Sequence, residues 1–301
     1  MTKPLFSYYG GKQRLASKIM KHFPPHSIYV EPFAGGAALL FAKPDTNTNY
    51  YQEVLNDNNQ LIHRTYRYCR DNPEDFDKLI EYTPFGMDVY REARVICRDP
   101  QKFLDRDVAW AFFVNINQSF TNKLNAGWSR GFCGRNHAGT WDLRRSSLPV
   151  TLQRLKSVSI ESLDAIECIK KWDSPQTLFY CDPPYPNTNQ GHYGGYTIED
   201  FDILCKTLDS IQGSYVLSNY DQKEIYPKTA TRYELAAYCS ADGKGKIKGD
   251  HTRKATSEEM GDRKRTEVLW VCDRSGNVRE ELKSVLAKNS SRLLEVIGEA
   301  D

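Results

Sequence analysis

The chain has 301 residues, enough for one large domain or two modest ones, and a net charge of only +2. With 40% hydrophobic and 27% charged residues it reads as a globular protein, and whole-chain charge says nothing about partners, so local clusters must carry that argument. None of the eight cysteines forms a C-x-x-C pair, which argues against a zinc site or a disulfide framework. No signal peptide is seen, a reducing cytoplasm is expected, and the longest strongly apolar run, 108–114, is far too short to cross a bilayer.

In chain order, the first signal is Tyr8-Tyr9-Gly10-Gly11-Lys12, a glycine turn opening a helix with Leu15 and Ile19 at i, i+4. A lysine and free N–H groups at a helix start suit a carboxylate or phosphate, although a solvated lysine on a glycine turn has the same pattern. A strand at 27–30 then leads into Glu31-Pro32-Phe33-Ala34-Gly35-Gly36-Ala37-Ala38. Strand, glycine turn and helix make the first unit of a nucleotide-binding α/β sheet, but the G-x-G-x-x-G spacing of a dinucleotide site is missing. A second strand at 51–55 ends at Asn56-Asp57. Asp57 lies 26 residues after Glu31, where such folds place a carboxylate on ribose hydroxyls; it equally suits the cap of the next helix.

Between 60 and 149 the pattern turns helical, at 61–70, 75–82, 88–96 and a more apolar 107–116 that should pack this insert on the sheet. Residues 117–145 read as a basic loop: Lys123, Arg130, Arg135, Arg144 and Arg145 oppose a single acid, Asp142, with Phe120, Trp128, Phe132 and Trp141 interleaved. Such loops suit phosphate contact and base wedging. A strand at 158–161 ends near Asp164, either a turn aspartate or a carboxylate for an adenine amino group. Further on, 186–195 is a candidate lid, Thr197-x-x-Asp200 resembles a capping box, 215–218 is a strand, and 232–238 and 268–272 read as paired strands. The loop 244–265 carries eight Lys or Arg against four acids, and 280–296 reads as a helix.

The most informative stretch is Leu178-Phe179-Tyr180-Cys181-Asp182-Pro183-Pro184-Tyr185. It is a short buried strand that leaves the sheet stiffly, because neither proline can donate to a ladder and each residue before a proline is pushed to extended backbone. A carboxylate, the Pro183 carbonyl and the Tyr185 ring then stand at the strand's carboxyl end, where open α/β sheets bind ligands. An exocyclic amino group on a flat base offers two N–H donors and a π face, which these three groups complement. The bland alternative is a strand followed by a proline turn.

Taken in order and spacing, Tyr-Tyr-Gly-Gly-Lys, Glu-Pro-Phe-Ala-Gly-Gly, Asn56-Asp57 and Asp-Pro-Pro-Tyr resemble the Dam-like, alpha-class adenine-specific DNA methyltransferases. The resemblance implies an α/β fold: a Rossmann-like S-adenosylmethionine-dependent methyltransferase sheet, at 1–59 and 150–301, with an inserted, mostly helical target-recognition domain at 60–149. It implies Tyr8 and Lys12 at the methionine end of the cofactor, Phe33 and the Gly35 turn lining it, Asp57 on the ribose and Asp164 on the adenine. Asp182, near both the cofactor and the target amino group, would act with Pro183 and Tyr185. Asn122, Lys123, Arg130 and Arg135 would meet double-stranded DNA, and no metal is expected. The stretch 119–141 departs from that of a GATC reader. The rival readings are cytosine amino methylation, methylation of RNA or a protein glutamine, and a non-catalytic DNA-binding module.

Overall fold

The computed structural model describes residues 2–6, 11–44, 51–120, 122–129, 136–185, 195–219, 224–238, 264–276 and 278. Tyr8, Arg130, Arg135, the expected lid at 186–194, the basic loop up to 263 and the expected helix at 280–296 lie outside the described residues.

Among these residues one sheet of seven strands organises the protein: β1 (Ile28–Glu31), β2 (Gln52–Asn56), β3 (Val158–Glu161), β4 (Thr177–Cys181), β5 (Ser214–Asn219), β6 (Thr231–Tyr238) and β7 (Lys264–Cys272). Their order is β3-β2-β1-β4-β5-β7-β6. The first five are parallel, and β7 runs antiparallel to both β5 and β6. From β1 the chain moves outward through β2 and β3, then returns to pair β4 on the other side of β1, with Val30 opposite Phe179. The carboxyl ends of β1 and β4 therefore flank the point where strand order reverses, the crevice that binds ligands in open α/β sheets.

Side chains alternate across the strands and fill two cores. Tyr29, Leu55, Leu178, Tyr180, Val216 and Leu269 face one core, and Val30, Val54, Phe179, Cys181, Tyr215, Leu217, Val268 and Trp270 the other. Strands buried on both faces read as unbroken apolar runs, which is why β4 is legible as Thr-Leu-Phe-Tyr-Cys with every residue buried.

The first core is covered by α1 (Ala16–Ile19), α2 (Ala38–Ala42) and the helices that follow β2: α3 (Gln60–Asp71), α4 (Pro73–Glu81), α5 (Met87–Arg98), α6 (Asp105–Gln118), α7 (His137–Ser146) and α8 (Leu148–Leu155). Val108, Ala109, Phe112, Phe113 and Val114 of α6 are buried in the cluster that also holds this sheet face, and α6 packs chiefly on α3 and α5. The second core is covered by α9 (Ala165–Trp172) and α10 (Ile198–Ser210). The Thr197–Asp200 capping box is present in both directions and opens α10.

The reading of 117–145 as loop needs correction, since α7 occupies its last part. Its local signal was the cap, Asn136 accepting from the Gly139 N–H at 2.8 Å. Its anchor is tertiary: Trp141 is buried and donates its indole N–H to the Thr83 carbonyl at 2.9 Å. Helices α8 and α9 were not anticipated either, and β7 begins at Lys264, four residues earlier than expected.

Candidate active site

Two strand ends bring the site together. β4 ends at Cys181, and the backbone passes through Asp182 and the prolines to Tyr185, which is buried. The Pro183 carbonyl accepts no hydrogen bond among the described residues. β1 ends at Glu31 and turns through Gly35, whose φ of 48° lies in the left-handed region that glycine tolerates. Ala37 shares that φ and precedes α2, a conformation that costs an alanine ~1–2 kcal/mol.

Lys12, only 6% exposed, stands between two carboxylates. Its ammonium donates to Asp182 Oδ1 at 2.8 Å and Oδ2 at 3.0 Å, and to the Tyr185 hydroxyl at 2.6 Å. Glu267 Oε1 lies 3.5 Å from the same nitrogen. Tyr185 in turn donates to Glu267 at 2.6 Å, with Asp182 Oδ1 a longer alternative at 3.2 Å, and Ser218 donates to the same Glu267 oxygen at 2.6 Å. Burial alone would lower the Lys12 pKa, but the charges of Asp182 and Glu267 outweigh it and the net direction is upward. Burial pushes the Asp182 carboxyl above its ordinary value against the opposing pull of Lys12, and Glu267 adds to the rise. Burial, with the same two carboxylates, also holds Tyr185 well above the usual phenol range, so it stays a donor.

Next to this cluster, the ends of β1, β2 and β3 carry the groups expected for a cofactor. Asp57 accepts the Gly35 N–H and the Asn59 N–H, each at 2.9 Å, which braces the glycine turn. Burial pushes its carboxyl up to about 6. The cap of α3 is Asn59, not Asp57, through its own side chain. Asp164 is exposed and caps α9 by accepting from Ile166 N at 2.8 Å. Phe33 meets the edge of Tyr196 at a centroid distance of 6.2 Å. The Tyr196 hydroxyl is buried and has no hydrogen-bond partner among the described residues. An orphaned hydroxyl, an aromatic ring and two carboxylates on adjacent strand ends form a donor and acceptor set that fits a nucleoside.

The structure joins Asp182 and Tyr185 directly and adds Lys12 to them rather than leaving it solvated. Glu267 and Ser218 were missed. Glu267 sits in phase with Leu269 and Val271 along β7, so period-two alternation marks it as a carboxylate on an inward face. Asn56 was read only as a strand end, yet its amide donates to the carbonyls of Pro32 and Leu163 and accepts from Leu163 N, tying two of the site loops together. Tyr66 of α3 donates to the Gly35 carbonyl at 3.0 Å, so the helical segment also braces the glycine turn. Away from this centre, Asn122 and Lys123 lie on a turn closed by a Ser119–Trp128 bridge and pinned by reciprocal Asn115–Asn125 hydrogen bonds. Asn122 is exposed, and Phe120 beside it is 64% exposed.

This strand order, with its switch point between β1 and β4, is that of a Rossmann-like methyltransferase sheet. The model of the D12 class N6 adenine-specific DNA methyltransferases matches residues 8–237, and the chain belongs to that family. It is 25% identical to the retron Ec67 DNA adenine methylase of Escherichia coli over 248 residues, covering 73% of this chain and 78% of that protein. It is 24% identical over 267 residues to the type II methyltransferase M.MjaIII of Methanocaldococcus jannaschii, covering 75% and 87%. Identity to the DNA adenine methylase of Haemophilus influenzae is 23% over 253 residues, covering 74% and 82%. The protein is therefore an adenine-specific DNA methyltransferase, which sets aside the cytosine, RNA, protein and non-catalytic readings. Membership implies DNA as substrate and S-adenosylmethionine as methyl donor. Among the described residues no helix is long and apolar enough to cross a membrane, and no group of His, Cys, Asp or Glu could hold a metal.

Proposed function

We propose that Asp182, the Pro183 carbonyl and Tyr185 grip the amino group of an adenine turned out of duplex DNA. The amino nitrogen is unreachable inside the stack, and extrusion costs a few kcal/mol that stacking and new hydrogen bonds offset. Asp182 accepts one amino N–H and the Pro183 carbonyl the other, which disfavours delocalisation of the nitrogen lone pair into the ring. The Tyr185 ring stacks on the base, its hydroxyl tether to Glu267 limiting how the ring can turn. S-adenosylmethionine, when bound, supplies an electrophilic methyl group on a cationic sulfur. Asp182 and Pro183 do most of their work by aiming the nitrogen. The nitrogen becomes acidic only after transfer, so Asp182 takes up its proton without being a strong base.

Tyr8 and Lys12 are assigned to the donor's methionine end, Phe33 and the Gly35 turn to its flank, Asp57 to the ribose hydroxyls and Asp164 to the adenine. The helical segment 60–149 is assigned as the target-recognition domain, with Asn122, Lys123, Arg130 and Arg135 on the DNA; the exposed Phe120 on its pinned turn supports this. The observation that carries the reading is the meeting of the Asp182 carboxylate and the Tyr185 hydroxyl at the carboxyl end of β4, beside β1. Nucleoside mass spectrometry of unmethylated duplex DNA treated with the protein and labelled donor tests it. N6-methyladenine is expected from the wild type and none from Asp182→Asn; full activity of that variant would overturn the clamp.

A further inference from the structure

On this reading Lys12 and the target amino group share one acceptor, Asp182. The Lys12 ammonium reaches both oxygens of Asp182, at 2.8 and 3.0 Å, and the Tyr185 hydroxyl at 2.6 Å. A carboxylate has about four lone-pair sites, so Asp182 can accept an amino N–H while Lys12 stays beside it, provided its oxygens are aimed at the base. Lys12 is only 6% exposed, and a buried charge is costly unless it is paired. A second carboxylate shares that pairing. Glu267, 5% exposed, already lies 3.5 Å from Lys12 Nζ.

The sheet topology explains how a residue so late in the chain reaches the site. Because β7 runs antiparallel to β5, its amino-terminal half lies at the carboxyl ends of the parallel strands. Glu267 falls one position beyond the Asn219–Val268 pair, on the face that holds Leu269. There one oxygen collects the hydroxyls of Tyr185 and Ser218, each at 2.6 Å. A hydroxyl has a single proton, so a Tyr185 that donates to Glu267 does not donate to Asp182, whose oxygens keep lone pairs for another donor.

We propose that Glu267 is a positioning residue for methyl transfer: it anchors the Tyr185 hydroxyl and shares Lys12 with Asp182, which holds the Asp182 carboxylate aimed to accept the adenine amino group. This rests on the reading of Asp182 and Tyr185 as the clamp. Glu267 touches neither substrate and acts through these two side chains and Lys12.

The test compares Glu267→Gln, Glu267→Asp and Asp182→Asn in the full chain, using unmethylated phage DNA and S-adenosylmethionine. Glutamine keeps an acceptor for Tyr185 and Ser218 but lacks the charge through which Glu267 shares Lys12 with Asp182. We expect kcat to fall at least tenfold in Glu267→Gln, with donor affinity by calorimetry within about twofold of wild type and the melting midpoint little changed. Glu267→Asp, which retains the charge at shorter reach, should lose turnover but less of it. Wild-type kcat and KM in Glu267→Gln would overturn the proposal, as would loss of turnover only in step with loss of donor binding and melting temperature, the pattern of a purely structural residue. If Glu267→Gln does not fold, Glu267→Asp decides: full turnover overturns the proposal, and reduced turnover with intact donor binding supports it. Asp182→Asn separates the two levels, because activity in that variant defeats the clamp itself, whereas its inactivity beside a fully active Glu267→Gln defeats only the role given to Glu267.

Discussion

Replacing Glu31 by glutamine should stabilise the protein, and by an amount that depends on pH. Glu31 ends β1 and is 2% exposed. One of its oxygens accepts the Tyr29 hydroxyl and the Leu40 N–H, each at 2.9 Å. Burial pushes its carboxyl up to about 8, although those hydrogen bonds and Lys43 pull the other way. A carboxyl raised in the folded state contributes stability that is complete below its ordinary value of 4.5 and is lost as pH rises, until nothing remains above about 8. Each pH step in that window costs ~1.4 kcal/mol, so at pH 7 the wild type is less stable by about 3 kcal/mol than it would be with the group held neutral. Glutamine is always neutral and its carbonyl can accept both hydrogen bonds. Its buried amide needs a partner, which costs about 1 kcal/mol of the gain. The net expectation is about 2 kcal/mol of added stability at pH 7. Urea unfolding followed by circular dichroism, on both proteins at pH 6, 7 and 8, reads this directly. The difference should grow by ~1.4 kcal/mol per pH step and level off above pH 8. A difference that ignores pH, or a glutamine variant less stable throughout, would mean that Glu31 is ionised in the folded protein and would refute the reasoning.

Asp182→Ala should abolish methylation while unfolding by urea stays cooperative, since Lys12 retains Glu267 as a counter-ion; near-normal turnover would be the contrary result. Arg154→Met should destabilise by ~3–5 kcal/mol, because it strands Glu53, which Arg154 pairs at 2.6 Å when both are buried. A denaturation midpoint close to wild type would show that Lys43, 3.7 Å away, suffices for Glu53. Gly213→Ala should cost ~1–3 kcal/mol, because its Cβ would lie 2.9 Å from the Thr177 carbonyl and 3.0 Å from that of Ser174, both backbone atoms. Thermal melting without loss would indicate that the turn moves aside easily.

Much of the catalytic half could be read from the sequence because its signals are local. β4 is apolar end to end, since both of its faces are buried, and the two prolines after Asp182 end it whatever surrounds them. The glycine turn after β1 and the Thr197–Asp200 box are short-range devices of the same kind. Helix α7 was hidden because its stretch is basic and glycine-bearing, and what holds it is the burial of Trp141 against Thr83, a contact 58 residues away in sequence. Helices α8 and α9 are only eight residues each, about two turns, a window too short for periodicity to decide by itself.

The order of motifs along the chain determined the kind of chemistry: a glycine turn after one strand and a carboxylate with two prolines after another need only local backbone rules to take shape. What surrounds that carboxylate was decided by the fold. Lys12, Asp182 and Glu267 are separated by 170 residues on one side and by half that on the other, and only the return of β4 beside β1 and the reversed direction of β7 bring them together. Local sequence sets the backbone conformation of each piece, but the charges a buried group feels come from neighbours in space, and strand order alone chooses those neighbours.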